Sequence, residues 1–204
     1  YFKKHVLDGK YMNDLEKDIA FSVELEKMKK ILRRTKIIGE DRRENDAEHS
    51  FHIAVNAMIF KDYCEFDFDL DKSIQMLLVH DLVEIYAGDT FAYDKKGYLD
   101  KYDREKKAMD IIISKSNEDF AKKVSSLWNE FEEGRTNEAK YANAMDRLQP
   151  IIANIENKGG TWFEYSVEYK AILERIEPIK EFSKVVYDKI LEEINRIRNE
   201  VINE

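Results

Sequence analysis

The chain has 204 residues, with 34 Lys and Arg against 42 Asp and Glu, which makes a formal net charge of -8 at pH 7. A surface with this balance repels nucleic acid and anionic membranes, so neither is expected as a partner. With only 7 Gly and 2 Pro, the chain lacks the frequent turns of a sandwich or barrel, and we predict an all-α fold in a single domain over residues 1–204.

The cysteine content and the hydropathy indicate where such a chain works. The single Cys64 cannot form an internal disulfide, which is typical of a reducing compartment. No apolar run reaches the roughly 20 residues needed to span a bilayer, and the first residues show no signal-peptide pattern. The expected localisation is cytoplasmic.

The first predicted helix covers residues 11–34, where apolar residues recur at helical spacing. It ends in a basic cluster: residues 29–43 contain seven Lys and Arg against two acids, the reverse of the overall charge. The cluster is either a solvated helix end, with cations near the C-terminal dipole, or the local anion site that an acidic protein needs for a negatively charged substrate.

The next helix, residues 47–63, begins after Asn45 or Asp46, both good N-cap residues. It carries His49 and His52 one turn apart. A single histidine in such a helix is more often a core residue than a metal ligand, and the pair only modestly favours a metal. We assign His52 to the core or to contacts behind the ligands.

A third helix, capped by Asp69 or Asp71 and ended by Gly88, contains His80, Asp81 and Glu84 inside an apolar run. Burying a charge is costly unless it is paired or bound to a metal. These polar groups therefore bind either one another or an ion. Residues 90–102 lack periodicity and are predicted to be a loop that covers a site.

The rest of the chain completes a bundle of about seven to eight helices. Predicted helices cover residues 103–115, 118–133, 137–157, 164–175 and 178–202, and the last two pack on the core or on a dimer partner. Asp146 interrupts the apolar face of the helix at 137–157. Its neighbour Arg147 is a poor ion-pair partner, because adjacent helical residues do not face each other. Trp162, after two glycines, is expected in the core.

Two imidazoles and two carboxylates stand out on three predicted helices: His49, His80, Asp81 and Asp146. This mixed nitrogen and oxygen set suits one divalent ion such as Mn, Co, Fe, Ni or Zn better than Ca, and does not choose among them. Such an ion lowers the pKa of a bound water toward about 7, and a nearby carboxylate such as Glu84 can take its proton.

The ordered pattern resembles a known family. The segments 43–50 (RENDAEHS), 80–84 (HDLVE) with 88–89 (GD), and 146–150 (DRLQP) look like the HD-domain metal-dependent phosphohydrolases, in the branch that contains the 5'-deoxynucleotidases. The resemblance runs from about residue 32 to 162. It implies a helical HD domain, a hydrolase activity, a single divalent metal ion (Mn, Co, Mg, Fe, Ni or Zn) and a homodimer.

The resemblance also implies roles for single residues. His49, His80, Asp81 and Asp146 match the metal ligands of that family. Glu84 and Asp89 match the catalytic acids, and Arg34 matches a phosphate-contacting arginine. The nucleotidases place an aromatic residue that helps to reject ribose directly after this arginine, whereas here that residue is Thr35.

The expected substrate is a small anionic nucleotide of the deoxynucleoside 5'-monophosphate type, cleaved at its phosphomonoester. One alternative is a hydrolase of nucleoside triphosphates or of another small organophosphate on the same metal. A different alternative is a non-catalytic ligand-binding module in which the metal has only a structural role. Arg34, Glu84 and Asp89 argue against the module, because a structural metal needs neither a phosphate contact nor an outer pair of acids.

Overall fold

The computed structural model describes the backbone of residues 9–202 and the side chains of residues 13–198, so residues 1–8 and 203–204 of the expected domain lie outside it. Over this part of the chain the fold is helical, as predicted. The helices are α1 (Gly9–Glu24), α2 (Asp46–Phe60), α3 (Leu70–Val79), α4 (Glu84–Ala87), α5 (Lys101–Lys115), α6 (Glu118–Glu133), α7 (Asn137–Glu156), α8 (Gly160–Glu164), α9 (Tyr169–Phe182) and α10 (Lys184–Ile202). No helix in residues 9–202 has the length and apolar character needed to cross a bilayer.

The predicted helix over residues 11–34 is wrong in its second half. After α1 the chain makes a 3-10 turn at Leu25–Lys30 and then forms strand β1 (Leu32–Lys36), which pairs antiparallel with β2 (Arg43–Asn45). Burial alternates along β1, so that alternate side chains point inward. The basic residues carry no periodic apolar signal, so the sequence did not distinguish a strand from a helix end there.

The main core is built around α7, which packs against α2, α3, α6 and α9. Its fully buried Tyr141, Met145 and Leu148 face Ile53 of α2 and Ile176 of α9 across one continuous apolar cluster. A second cluster lies under α1 and joins α5 and α6 to the segment after α3. Because α7 is buried over most of its length, polar residues on it stand out.

The break between the two C-terminal helices falls at another place than predicted. Pro178 lies inside α9 and the break falls at Ser183, because Ile172, Ile176 and Ile179 bury one continuous stripe of this helix in the main core. Packing thus outweighs the local cost of a proline in a helix. Helix α9 packs on α7, and α10 packs on α9.

Candidate metal centre and adjoining cleft

The four predicted ligand residues come from three parts of the fold. His49 lies one turn into α2, whose N-terminus is fixed by a capping box between Asn45 and Glu48 with hydrogen bonds of 3.0 and 3.1 Å. His80 and Asp81 lie on a 3-10 segment, His80–Val83, that interrupts the predicted helix between α3 and α4. Asp146 lies on α7.

The structure brings these four side chains together. Asp146 Oδ1 lies 3.1 Å from His49 Nε2 and 3.7 Å from His80 Nε2. Asp81 Oδ1 lies 3.0 Å from His80 Nε2, and Asp81 Oδ2 lies 3.8 Å from His49 Nε2. Two ligand atoms about 2.1 Å from a common ion are about 3.0–3.4 Å apart at octahedral or tetrahedral angles. The observed spacings are close to this range.

Each imidazole is oriented by its other ring nitrogen. His80 Nδ1 donates to the carbonyl oxygen of Leu77 at 2.9 Å. His49 Nδ1 donates to Gln149 Oε1 at 3.0 Å, and Gln149 Nε2 donates in turn to Glu44 Oε1 at 2.9 Å. Backbone and side-chain acceptors at Nδ1 are the usual support of a histidine that ligates through Nε2. Both Nε2 atoms therefore face the carboxylates of Asp81 and Asp146.

The cluster has an unsatisfied atom that fits an ion. His80 Nε2 is buried and has no hydrogen-bond partner among the described side chains, since its geometry toward Asp81 is not that of a hydrogen bond. Burial acts to lower the pKa of His80, but the charges of Asp81 and Asp146 outweigh it and raise that pKa to about 10. The His/Asp cluster therefore points to divalent metal binding, where the ion would replace this proton.

A second group of acids adjoins the first. Ligand atoms of Asp46, Asp81 and Glu84 lie within 4.8 Å of one another, and all three residues are buried. Burial raises the pKa of Asp46 to about 7, and burial together with the charges of Asp81 and Asp46 raises the pKa of Glu84 well above its usual value. Asp89, which follows Gly88 (φ 75°), also has a raised pKa because of burial.

The arginine closest to the cluster is Arg33, which the sequence analysis did not assign to the site. Its Nη1 donates to Asp81 Oδ2 at 2.8 Å and lies 3.8 Å from Asp46 Oδ1. Arg34 is exposed and lines the cleft, and its guanidinium lies 5.7 Å from the centre of the Tyr165 ring. Both arginines line the cleft, but Arg33 is half-buried and paired with Asp81, whereas Arg34 is exposed.

Other residues of the site were also missed. Glu44, Asp46 and Gln149 support the cluster, although from the sequence Asp46 was predicted only as a helix cap. These residues are both polar and buried, and this combination can point to a functional site only after burial is known from the structure. His52 is exposed, not in the core, with Nδ1 3.4 Å from Gln149 Nε2. Trp162 is buried, as predicted.

A cleft of about 250 Å³ opens beside the cluster. Its walls include Arg34, Thr35, Glu84 and Asp89, together with side chains from the predicted loop at residues 90–102. The loop is held from behind by Arg104, which donates to the Ala87 carbonyl oxygen at 2.9 Å, to Thr90 Oγ1 at 3.0 Å and to the Gly97 carbonyl oxygen at 3.1 Å.

The fold and this cluster define an all-helical protein with a candidate divalent-metal centre beside a polar cleft. The chain belongs to the HD domain family, whose family model matches residues 25–186. The resemblance seen in the pattern of His49, His80-Asp81 and Asp146 is thus confirmed.

The chain is also similar to individual named proteins. The chain is 32% identical over 124 residues to the human 5'-deoxynucleotidase HDDC2, covering 58% of this chain and 59% of that protein. The mouse protein of the same name is 31% identical, covering 59% of this chain and 61% of that protein. The chain therefore spans about three-fifths of the length of these curated relatives.

A solved structure matches over more of the chain. The crystal structure of a predicted metal-dependent phosphohydrolase from Magnetospirillum magnetotacticum superposes with a TM-score of 0.86 at 38% identity. The match covers 91% of this chain and 93% of that one. The helical arrangement described above is thus that of an HD-domain protein.

Proposed function

We propose that this chain is a metal-dependent phosphohydrolase that cleaves the phosphomonoester of a small nucleotide, of the deoxynucleoside 5'-monophosphate type. The observation that carries the proposal is the convergence of two imidazoles and two carboxylates next to a cleft that also holds Glu84, Asp89 and Arg34. The likeness to proteins named 5'-deoxynucleotidase supports the choice of substrate class.

In this proposal His49, His80, Asp81 and Asp146 hold one divalent ion. The donor set suits Mn, Co, Fe, Ni, Zn or Mg. His49 is suited to ligation because burial and the charge of Arg33 lower its pKa, so its ring is neutral near pH 7. Arg33 donates a hydrogen bond to Asp81 Oδ2, while Asp81 Oδ1 faces His80. The hydrogen bond limits rotation of the Asp81 carboxylate.

The acids carry the proton transfers. A divalent ion, when bound, activates a water molecule and offsets negative charge on the phosphate. Glu84 accepts a proton from the attacking water, and its raised pKa suits a general base working near neutral pH. Asp89, whose pKa is also raised, gives a proton to the leaving ester oxygen. Arg34 binds the phosphate, for which its planar fork is suited.

Phosphate release from the metal-stripped protein, reloaded with Mn²⁺, Co²⁺ or Mg²⁺, tests the function. The panel contains deoxy- and ribonucleoside 5'-monophosphates, triphosphates and a sugar phosphate. We expect release from deoxynucleoside monophosphates that requires added metal. Release from triphosphates alone would select the alternative substrate class. Metal binding without release from any ester would overturn the enzyme and leave a non-catalytic module.

We also propose an oligomeric state and a cellular location for this chain. The half-buried Cys64 is free, which supports a cytoplasmic protein. A homodimer is supported by exposed apolar side chains on α2, including Phe51 (70% exposed) and Met58 (59% exposed). Helices α9 and α10 bury their apolar stripes within the chain, so we propose the dimer contact on α2 and the packing of residues 164–204 on their own core.

A further inference from the structure

Two arginines in the cleft have no role in the function proposed above. Arg147 lies on α7 next to Asp146, and Arg175 reaches the cleft from α9. Adjacent helical residues point about 100° apart. Arg147 is therefore directed away from the metal ligands and along the cleft wall, where its Nη1 donates to the carbonyl oxygen and to the side-chain oxygen of Asn143, both at 3.2 Å.

Arg147 lacks a charged partner. Both of its acceptors on Asn143 are neutral, and no carboxylate among the side chains of residues 13–198 forms an ion pair with its guanidinium. This half-buried group contrasts with Lys101 in the same cleft, whose ammonium pairs with Glu105 at 2.8 Å. A half-buried cation without a counter-ion is costly, and an anion in the cleft would relieve that cost.

Arg175 is only weakly paired. Its Nη2 lies 3.4 Å from Asp146 Oδ2, at the long end for a hydrogen bond, and Asp146 is one of the proposed metal ligands. The charge of this carboxylate would be shared with the ion. Glu132 also lines the cleft, but its side chain is exposed and it forms no ion pair with either arginine among the described contacts. Positive charge therefore remains on this wall.

We propose that Arg147 and Arg175 form a second anion subsite, which binds a second phosphate carried by the same small molecule whose ester phosphate binds at the metal centre. The inference rests on the proposed function for the first phosphate. It extends the proposed substrate class to nucleotides that carry a second phosphate, either on a separate hydroxyl or in a polyphosphate chain. Guanidinium groups suit this task because their fork matches phosphate oxygens.

The test measures binding rather than turnover. Three non-hydrolysable ligands are titrated calorimetrically into the Mn²⁺-loaded protein: a deoxynucleoside 5'-phosphonate, the same compound with a second phosphonate group at the 3' position, and its carbon-bridged triphosphate analogue. We expect at least one of the two extended ligands to bind about tenfold more tightly than the first, which corresponds to one charge-assisted contact. The ligand that gains affinity identifies where the second phosphate sits.

Variants assign that gain to the subsite. Arg147→Met should remove the advantage of the extended ligand, Arg175→Met should do the same independently, and Arg147→Lys should retain part of it. Arg135→Met, which removes an exposed arginine outside the cleft lining, serves as the matched control. Far-ultraviolet circular dichroism and the melting temperature check that each variant is folded.

The possible results of these titrations test the second anion subsite separately from the proposed phosphohydrolase activity. Equal affinity of wild-type protein for all three ligands would overturn the subsite, even if monophosphates are hydrolysed. An equal loss for all three ligands in Arg147→Met would also overturn it, because Arg147 would then bind the ester phosphate itself. An advantage that depends on Arg147, in a protein that releases no phosphate, would support the subsite and remove the proposed activity.

Discussion

In the proposed function, Glu84 takes part in turnover and not in metal binding. Its side chain is buried, and its Oε2 has no hydrogen-bond partner among the described residues, so it can take a proton from a water without breaking an existing contact. We expect Glu84→Gln to keep its metal and to lose about 10²- to 10⁴-fold in kcat, the usual share of a general base. Metal content by elemental analysis and phosphate release are measured together.

Glu133→Gln is the control for this change, because Glu133 is exposed on α6 and does not line the cleft. It should leave both measurements unaltered. Full activity in Glu84→Gln would contradict the proton transfer proposed for this carboxylate.

Glu44 gives the metal-free protein a pH-dependent stability. Burial raises its pKa to about 7, against the opposing charge of Arg33, from a usual value of 4.5. The folded state thus binds its proton more tightly than the unfolded state, so this stabilisation is complete below about pH 4.5 and is lost as the pH rises through about 7. We expect the free energy of unfolding to fall by on the order of 2 kcal/mol between about pH 5 and about pH 8.

Urea denaturation in the presence of a chelator measures this dependence. Glu44→Gln should flatten it, with the part due to Asp46 remaining, because burial raises that pKa to about 7 as well. Glu40→Gln, at an exposed position, should keep the wild-type dependence. A stability that increases over this pH range would contradict the assignment.

At the same scale, the sequence singled out the four residues of the His/Asp cluster but not the residues that support them. His49, His80, Asp81 and Asp146 stand out because each interrupts an apolar helical stripe. Arg33 does not stand out, since it is one of seven cations within residues 29–43. Only the strand places Arg33 inward and Arg34 outward, and a strand was not predicted there.

At the scale of elements, one side chain of α5 bonds to several parts of the loop after Gly88. Arg104 on α5 donates three hydrogen bonds to residues 87, 90 and 97 and so fixes the backbone around Asp89. We expect Arg104→Met to lower kcat by about tenfold while metal content is unchanged, because Asp89 would lose its position rather than its chemistry. Limited proteolysis should cut the variant faster within residues 88–100.

Arg135→Met is a suitable control for this prediction as well, because it removes an arginine from an exposed turn. An Arg104→Met protein with wild-type kcat would show that the loop keeps its position without these three hydrogen bonds.

Helix existence was predicted well, and helix boundaries were predicted where a local signal sets them. Asn45, Asp69 and Gly134 end or begin elements as caps, which depend on neighbouring backbone groups alone. The interruption at His80–Val83 and the continuous helix through Pro178 depend on packing against other elements. Propensity and periodicity do not contain that information.

For the whole molecule, the distribution of charge matters more than its sum. The net charge is -8, yet Arg33, Arg34, Arg147 and Arg175 all line one cleft. An acidic surface disfavours long polyanions such as nucleic acid, while these four arginines offer a small phosphate ester local positive charge inside the cleft. This supports a nucleotide-sized substrate over a polymer.

The apolar surface of α2 carries the last prediction. Phe51, Val55 and Met58 recur at helical spacing on one outer stripe and are 70%, 37% and 59% exposed. A two-fold interface uses the same surface of both copies, so this stripe can pack against its own symmetry mate. We expect light scattering after size exclusion to give twice 24.2 kDa for the wild type and 24.2 kDa for Phe51→Glu.

Val185→Glu, at an isolated exposed position on α10, should remain dimeric. A wild-type mass of 24.2 kDa would exclude the dimer, and a dimeric Phe51→Glu would place the contact away from α2.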